Sequence, residues 1–110
     1  MKWKVSFYDE KVMKNLFKWP AGIKAKFTHI VELLEQHWPQ DVGMPFVKAM
    51  EDGLFEIRAK SKEGIGRALF CMVIGKEVVI LHGFIKKTQK TPAKELEIAK
   101  KRLREVQDGK

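Results

Sequence analysis

LFEIRAKSKEGIGRALFCMVIGKEVVILHGFI, residues 54–85, is the stretch that decides the fold. It breaks into three runs, 54–60, 65–74 and 78–85, each rich in β-branched and aromatic residues. The links between them, Ser61–Gly64 and Gly75–Lys76, are hairpin lengths with glycine where the chain must reverse. The stretch is therefore expected to be a three-stranded antiparallel meander. Hairpin length also sets the cross-strand partners. With 61–64 as the first turn, Arg58 stands opposite Arg67. With 75–76 as the second, Arg67 stands opposite Phe84. One row then runs Arg58, Arg67, Phe84 across three strands. Glu56, Lys60, His82 and Lys86 lie two residues away on the same face.

The other face reads Phe55, Ile57, Ala59, then Ala68, Phe70, Met72, Ile74, then Val79, Leu81, Gly83, Ile85, with no polar side chain. Such a face must pack against helices. Two candidates precede it. Val12, Met13, Leu16 and Phe17 recur at helical spacing behind Asp9, a good N-cap, and Trp19-Pro20 ends that helix. Ile23, Phe27, Ile30, Val31, Leu34 and Trp38 place a second amphipathic helix over 22–38, stopped by Pro39. Residues 3–7 alternate as a short strand. Residues 39–52 read as an irregular connection with about one turn of helix. After the meander, Thr91-Pro92 reads as an N-cap and first helical position. Leu96, Ala99, Leu103 and Val106 then stripe a last helix over 92–107. That stripe fits the apolar end of the arginine face, Leu54, Leu69, Cys71, Val73, Val78 and Ile80, and leaves the charged end as an open cleft.

The expected class is α+β: one domain over residues 1–110, with a small antiparallel sheet of about four strands and a mixed edge. Two N-terminal helices cover one face, and a C-terminal helix follows. No apolar run approaches the roughly 18 residues of a membrane span. The start of the chain has no signal-peptide pattern, and Cys71 is the single cysteine, so the expected compartment is cytoplasmic. His29, His37 and His82 are scattered, so no zinc-ligand spacing exists, and the expected site uses no metal or other cofactor.

The net charge is +8, and residues 58–110 hold all of it, with fourteen Lys/Arg against six Asp/Glu. Residues 1–57 balance eight against eight. That asymmetry points to a polyanionic partner, or more blandly to solubility. Directly opposed arginines repel, and an anion between them relieves the repulsion. A guanidinium fork suits phosphate, and Phe84 offers a face on which a base can stack. The competing reading makes Arg58 and Arg67 solvated strand residues with Glu56 as their partner. The three tryptophans, Trp3, Trp19 and Trp38, read as packing groups rather than base stackers.

The segments GLFEIR (53–58), GRALF (66–70) and LHGFIKKTQKTP (81–92), followed by KELEIAKKR (94–102), resemble the phage-derived branch of the RelE/ParE toxin superfamily, which includes HigB-type toxins. The resemblance spans nearly the whole chain in element order and is close over 53–105. It implies the toxin of a type II toxin–antitoxin pair, a metal-independent endoribonuclease cutting mRNA on the ribosome. The implied partner is a helix-turn-helix antitoxin. The alternatives are a ParE-like inhibitor of DNA gyrase and a non-catalytic nucleic-acid-binding module.

On this likeness the family's strand arginines fall on Arg58 and Arg67, as charge stabilisers. The basic residues after the fourth strand fall on Lys86 and Lys87. Glu56 is the candidate base and His82 the candidate acid. Lys60, Phe84, Lys86, Lys87 and Lys90 are the candidate RNA-binding residues. The catalytic tyrosine or histidine pair that ends several relatives has no counterpart, since Tyr8 is the single tyrosine. Glu56 as a structural partner of Arg58, and His82 as a satisfied strand histidine, stay open. Arg67→Ala is expected to remove toxicity and leave the fold intact.

Overall fold

A computed structural model describes residues 3–73, 77–86 and 91–109. The order is β1 (Lys4–Phe7), α1 (Glu10–Phe17), α2 (Ala21–Gln36), α3 (Pro39–Val42), β2 (Val47–Ala49), a single 3-10 turn (Glu51–Gly53), β3 (Phe55–Ser61), β4 (Gly64–Val73), β5 (Glu77–Lys86) and α4 (Ala93–Gln107). The strands form one sheet ordered β1-β5-β4-β3-β2. β1 runs parallel to β5, and every other pair is antiparallel. The α+β class, the meander and the mixed edge are as the sequence predicts. The count is five strands rather than about four. The extra one, β2, lies inside the connection 39–52 and pairs with Phe55–Ile57. Three residues are too few to show a period-2 pattern. The expected helical turn in that connection is α3.

Asp9 caps α1 as expected, its side chain accepting from Val12 N at 2.9 Å. α2 ends at Gln36, short of Trp38, whose ring instead meets Trp3 edge-on at 4.9 Å between centroids. Phe17 is exposed, so the buried face of α1 is Val12 and Leu16. Thr91 is not the N-cap of α4. That position is Pro92, with no side-chain cap, and the Thr91 hydroxyl is used elsewhere. α2 also lacks a cap of its own. Glu63, in the β3–β4 turn, supplies one, accepting from Gly22 N at 2.9 Å and Ile23 N at 3.2 Å. A carboxylate at a helix N-terminus satisfies orphan N–H groups and meets the positive end of the dipole. The hairpin and the helix are thereby fixed to each other.

The register matches expectation at the functional end for a reason the sequence does not show. Arg58 pairs with Arg67, and Arg67 with Phe84. Near the β4–β5 link, however, Val73 pairs with Glu77, so three residues separate the partners instead of two. The expected turn at Gly75–Lys76 lies outside the described residues. A register shift between Leu69 and Phe70 absorbs the extra residue, because Leu69 faces His82 while Phe70 faces Ile80. Such a bulge leaves one residue over and reverses the facing of the strand beyond it. Val78 and Ile80 therefore join the α1–α2 core, and Val79 and Leu81 face α4, the reverse of the expected assignment.

The α1–α2 side is seated on a patch of small residues, Ala59, Gly66, Ala68 and Gly83. A Cβ on Gly83 would stand 2.4 Å from Leu16 Cδ1, and one on Gly66 would stand 2.5 Å from Ile23 Cγ2. Asn15 Nδ2 adds a hydrogen bond to Gly83 O at 3.1 Å. Gly83→Ala should therefore destabilise the fold by about 1–3 kcal/mol through overpacking. The expected sign is a lower urea midpoint at unchanged m-value. An unaltered midpoint would show that α1 is not held this tightly.

Candidate functional site

Three rows of side chains share the sheet face that α4 also covers. Lys60, Ile65 and Lys86 pair across the outermost row. Arg58, Arg67 and Phe84 form the next. Glu56, Leu69 and His82 form the innermost. The sheet thus brings together every described site residue that the sequence singles out. Lys87 and Lys90 lie outside the described residues.

The three rows differ sharply in exposure. Lys60 and Lys86 are exposed. Arg58 is partly exposed, its side chain 17% accessible, whereas Arg67 and Glu56 are each only 1% accessible. The start of α4 closes the inner row. Thr91 Oγ1 donates to Glu56 Oε2 at 2.6 Å. His82 Nε2 lies 2.6 Å from Glu95 Oε1 in the first turn of the helix. Phe84 packs in one cluster with Ala99 and Leu103. Among the described residues, the cleft expected at the charged end is therefore open along the outer row, and its floor is sealed at Glu56 and Arg67.

The anion between the arginines is the chain's own. Glu56 Oε2 is 3.7 Å from Arg67 Nη1, and Glu56 Oε1 is 3.9 Å from Arg58 Nε. Burial lowers the pKa of Arg67, Glu56 opposes that shift, and Arg58 adds to it. A guanidinium stays protonated under such conditions. The site is thus a fixed carboxylate flanked by two cations, with a hydroxyl bonded to one carboxylate oxygen. Such an arrangement can hold a proton-accepting oxygen beside positive charge.

Thr91 and Glu95 carry no periodicity that marks them as partners of Glu56 and His82. The same holds for Lys26 and Phe46, which join Arg58, Lys60, Pro45 and Ile65 around a pocket of about 340 Å³. Lys26 stands on α2, and Phe46 directly precedes β2. Cys71, read from the sequence as a small core group, is buried, and burial pushes its thiol up to about 11. Among the described residues no group of three or more His, Cys, Asp or Glu side chains is placed to hold a metal ion. No helix among them is long and apolar enough to cross a membrane.

The family model described as phage derived protein Gp49-like (DUF891) matches residues 14–104. The chain belongs to that family. Its fold is similar to a chain in the crystal structure of the archaeal RelE–RelB complex from Pyrococcus horikoshii OT3, with a TM-score of 0.56 and 21% sequence identity. The superposition covers 82% of this chain and all of the other. No curated protein matches the sequence. Of the resemblance read from GLFEIR and LHGFIKKTQKTP, the phage-derived part therefore holds at the level of family and the RelE-like part at the level of fold.

The buried pair changes what an Arg67 substitution means. Removing one partner of a buried ion pair typically costs about 3–5 kcal/mol. Arg58 and Thr91 remain on Glu56, so Arg67→Ala should sit near the low end, about 3 kcal/mol. The earlier expectation of an intact fold does not follow from this geometry. Glu56→Leu combined with Arg67→Met should recover most of the loss in chemical denaturation. A single variant as stable as the unaltered chain would show that the pair is not a structural element.

Proposed function

We propose that this Gp49-like protein is the toxin of a type II toxin–antitoxin pair and acts as an endoribonuclease on mRNA, cutting on the ribosome. The observation that carries the reading is Arg58. Its guanidinium joins the buried carboxylate to the open row of lysines, so it is the cation that an incoming phosphate can reach. The RelE–RelB likeness supports an antitoxin partner, which the resemblance makes a helix-turn-helix protein. The basic face accounts for the polyanion.

In this mechanism the ribose 2′-oxygen attacks the adjacent phosphorus, and the P–O5′ bond breaks to leave a 2′,3′-cyclic phosphate and a free 5′-hydroxyl. Glu56 takes the 2′-proton. Arg58 and Arg67 stabilise the charge on the phosphorane oxygens, and His82 delivers a proton to the departing 5′-oxygen. Lys60 and Lys86 hold flanking phosphates, and Lys87 and Lys90 are assigned the same role from the sequence. Phe84, buried with Ala99 and Leu103, is a packing residue under α4 and not the base stacker expected from the sequence. Thr91 donates to Glu56 the bond that a 2′-hydroxyl makes to a general base. Substrate entry therefore displaces Thr91, and the first turn of α4 moves with it.

Arg58→Ala tests the assignment, because Arg58 is the partly exposed member of the cluster and the fold depends on it less than on Arg67. Induced in cells without antitoxin, this variant should lose growth arrest, and transcript cleavage mapped by primer extension should fall by roughly 100-fold or more. Circular dichroism on the purified variant should show a folded protein. Cut transcripts at the unaltered rate would refute the role of Arg58. Growth arrest with DNA damage and intact transcripts would move the protein to the gyrase-inhibitor branch. Harmless expression of the unaltered chain would leave a plain binding module.

A further inference from the structure

Phe46 is an aromatic ring at the edge of the sheet that the arginine row does not account for. β2 covers only Phe55–Ile57 of β3, so the outer neighbour of β3 ends where Arg58 begins. Arg58 N still bonds to Phe46 O at 2.8 Å, and that bond brings the ring alongside the basic row. Phe46 is half-buried. The Lys26 ammonium stands over it, 5.4 Å from the ring centroid, and His29 meets it edge-on at 6.1 Å. The pocket of about 340 Å³ opens here, and its lining contains three cations, Lys26, Arg58 and Lys60, and no carboxylate. Pro45, Phe46 and Ile65 supply its apolar surface.

That combination selects a ligand with a negative charge and a flat unsaturated ring. The volume suits one nucleotide, since small-ligand sites begin at roughly 300 Å³. Stacking on an aromatic ring tolerates any base. A lysine stem is flexible enough to carry its ammonium from the ring to a phosphate. An acidic peptide would satisfy the cations, but it leaves the aromatic platform beside Arg58 without a partner. We infer that the Lys26–Phe46 pocket is a nucleotide subsite for single-stranded RNA, adjoining the phosphate held at Arg58. The base lies on Phe46 and Pro45, and its phosphate sits between Lys26 and Lys60. The identity of the strand as a cleavable message rests on the proposed function; the subsite itself does not.

The test uses the full chain and a short fluorescent oligoribonucleotide carrying 2′-O-methyl groups, which cannot be cut because the attacking oxygen is blocked. Lys26→Ala and Phe46→Leu should each weaken binding by roughly tenfold. Lys26→Ala should also lower the slope of log affinity against log salt by about 0.7. Phe46→Leu keeps an apolar group at the site, and a melting curve on each variant checks that the fold survives. On cleavable RNA both variants should raise KM more than they lower kcat. Unaltered affinity in both variants overturns the subsite, as does a parent chain that does not bind the oligonucleotide. Unaltered RNA affinity with weakened antitoxin binding also overturns it, in favour of an acidic peptide. A chain that binds this RNA through Lys26 and Phe46 but never cleaves defeats the ribonuclease reading and leaves the subsite standing.

Discussion

A buried carboxylate between two arginines on adjacent strands constrains the rest of this structure. Arg58 and Arg67 face each other directly, an arrangement that costs stability unless something negative intervenes. Glu56 is two residues before Arg58 on the same strand and so on the same face, and both guanidinium groups lie within 4 Å of it. The gross attraction at such distances is on the order of 4 kcal/mol per contact at an effective dielectric near 20. Desolvating each ion costs several kcal/mol. The two nearly offset, so the cluster adds little net stability. Its effect is positional: it holds one arginine at the floor and one at the rim of the same site.

That cluster works only if the register is right at one end of the sheet, and β5 achieves this with two deviations that offset each other. The link between β4 and β5 is one residue longer than a two-residue hairpin, and the bulge after Leu69 removes the difference. Arg67 therefore meets Phe84. The same bulge turns Val79 and Leu81 toward α4 and sends Val78 and Ile80 to the opposite core. The run Val78–Leu81 is apolar at all four positions, and both faces of the sheet are covered there. Either assignment buries the same kind of side chain, so the alternation carries no information about which is taken. This is why the arginine row was legible in the sequence while the facing of Val79 and Leu81 was not.

The same division runs through the site. Arg58, Arg67, Glu56, Lys60, His82, Phe84 and Lys86 lie on strands, where a period of two and a turn length decide neighbours. Thr91, Glu95, Lys26 and Phe46 reach the site from helices and connections, whose approach depends on tertiary packing. Thr91 illustrates the ambiguity. A threonine before a proline at a helix start is a good cap by local chemistry, but its hydroxyl goes to Glu56, 35 residues away in sequence. The cost is an α4 start with no side-chain cap. Bonds between side chains, or from a side chain to backbone, compensate along the helix. Glu95 binds His82, Lys100 binds Glu51, Arg102 donates to Leu81 O at 2.7 Å and stands over the Tyr8 ring, and Glu105 accepts from Tyr8.

Charge tells the same story in a different way. Along the sequence the excess of +8 belongs wholly to residues 58–110. In space the basic rim also includes Lys26, from the half that is neutral by count, because α2 runs past the edge that β2 leaves uncovered. Part of the C-terminal excess, in turn, is spent on α4 itself: Lys100 is held by Glu51 and Asp52, and Arg102 by Tyr8 and the Leu81 carbonyl. Among the described residues, the field that an approaching anion meets at the open row is therefore set largely by Lys26, Arg58, Lys60 and Lys86, from α2, β3 and β5. Of the same described residues, α4 covers the inner row and leaves this rim exposed, so an anion first meets the arginine pair from its outer side. The direction of approach is decided by what α4 covers as much as by where the positive charge lies.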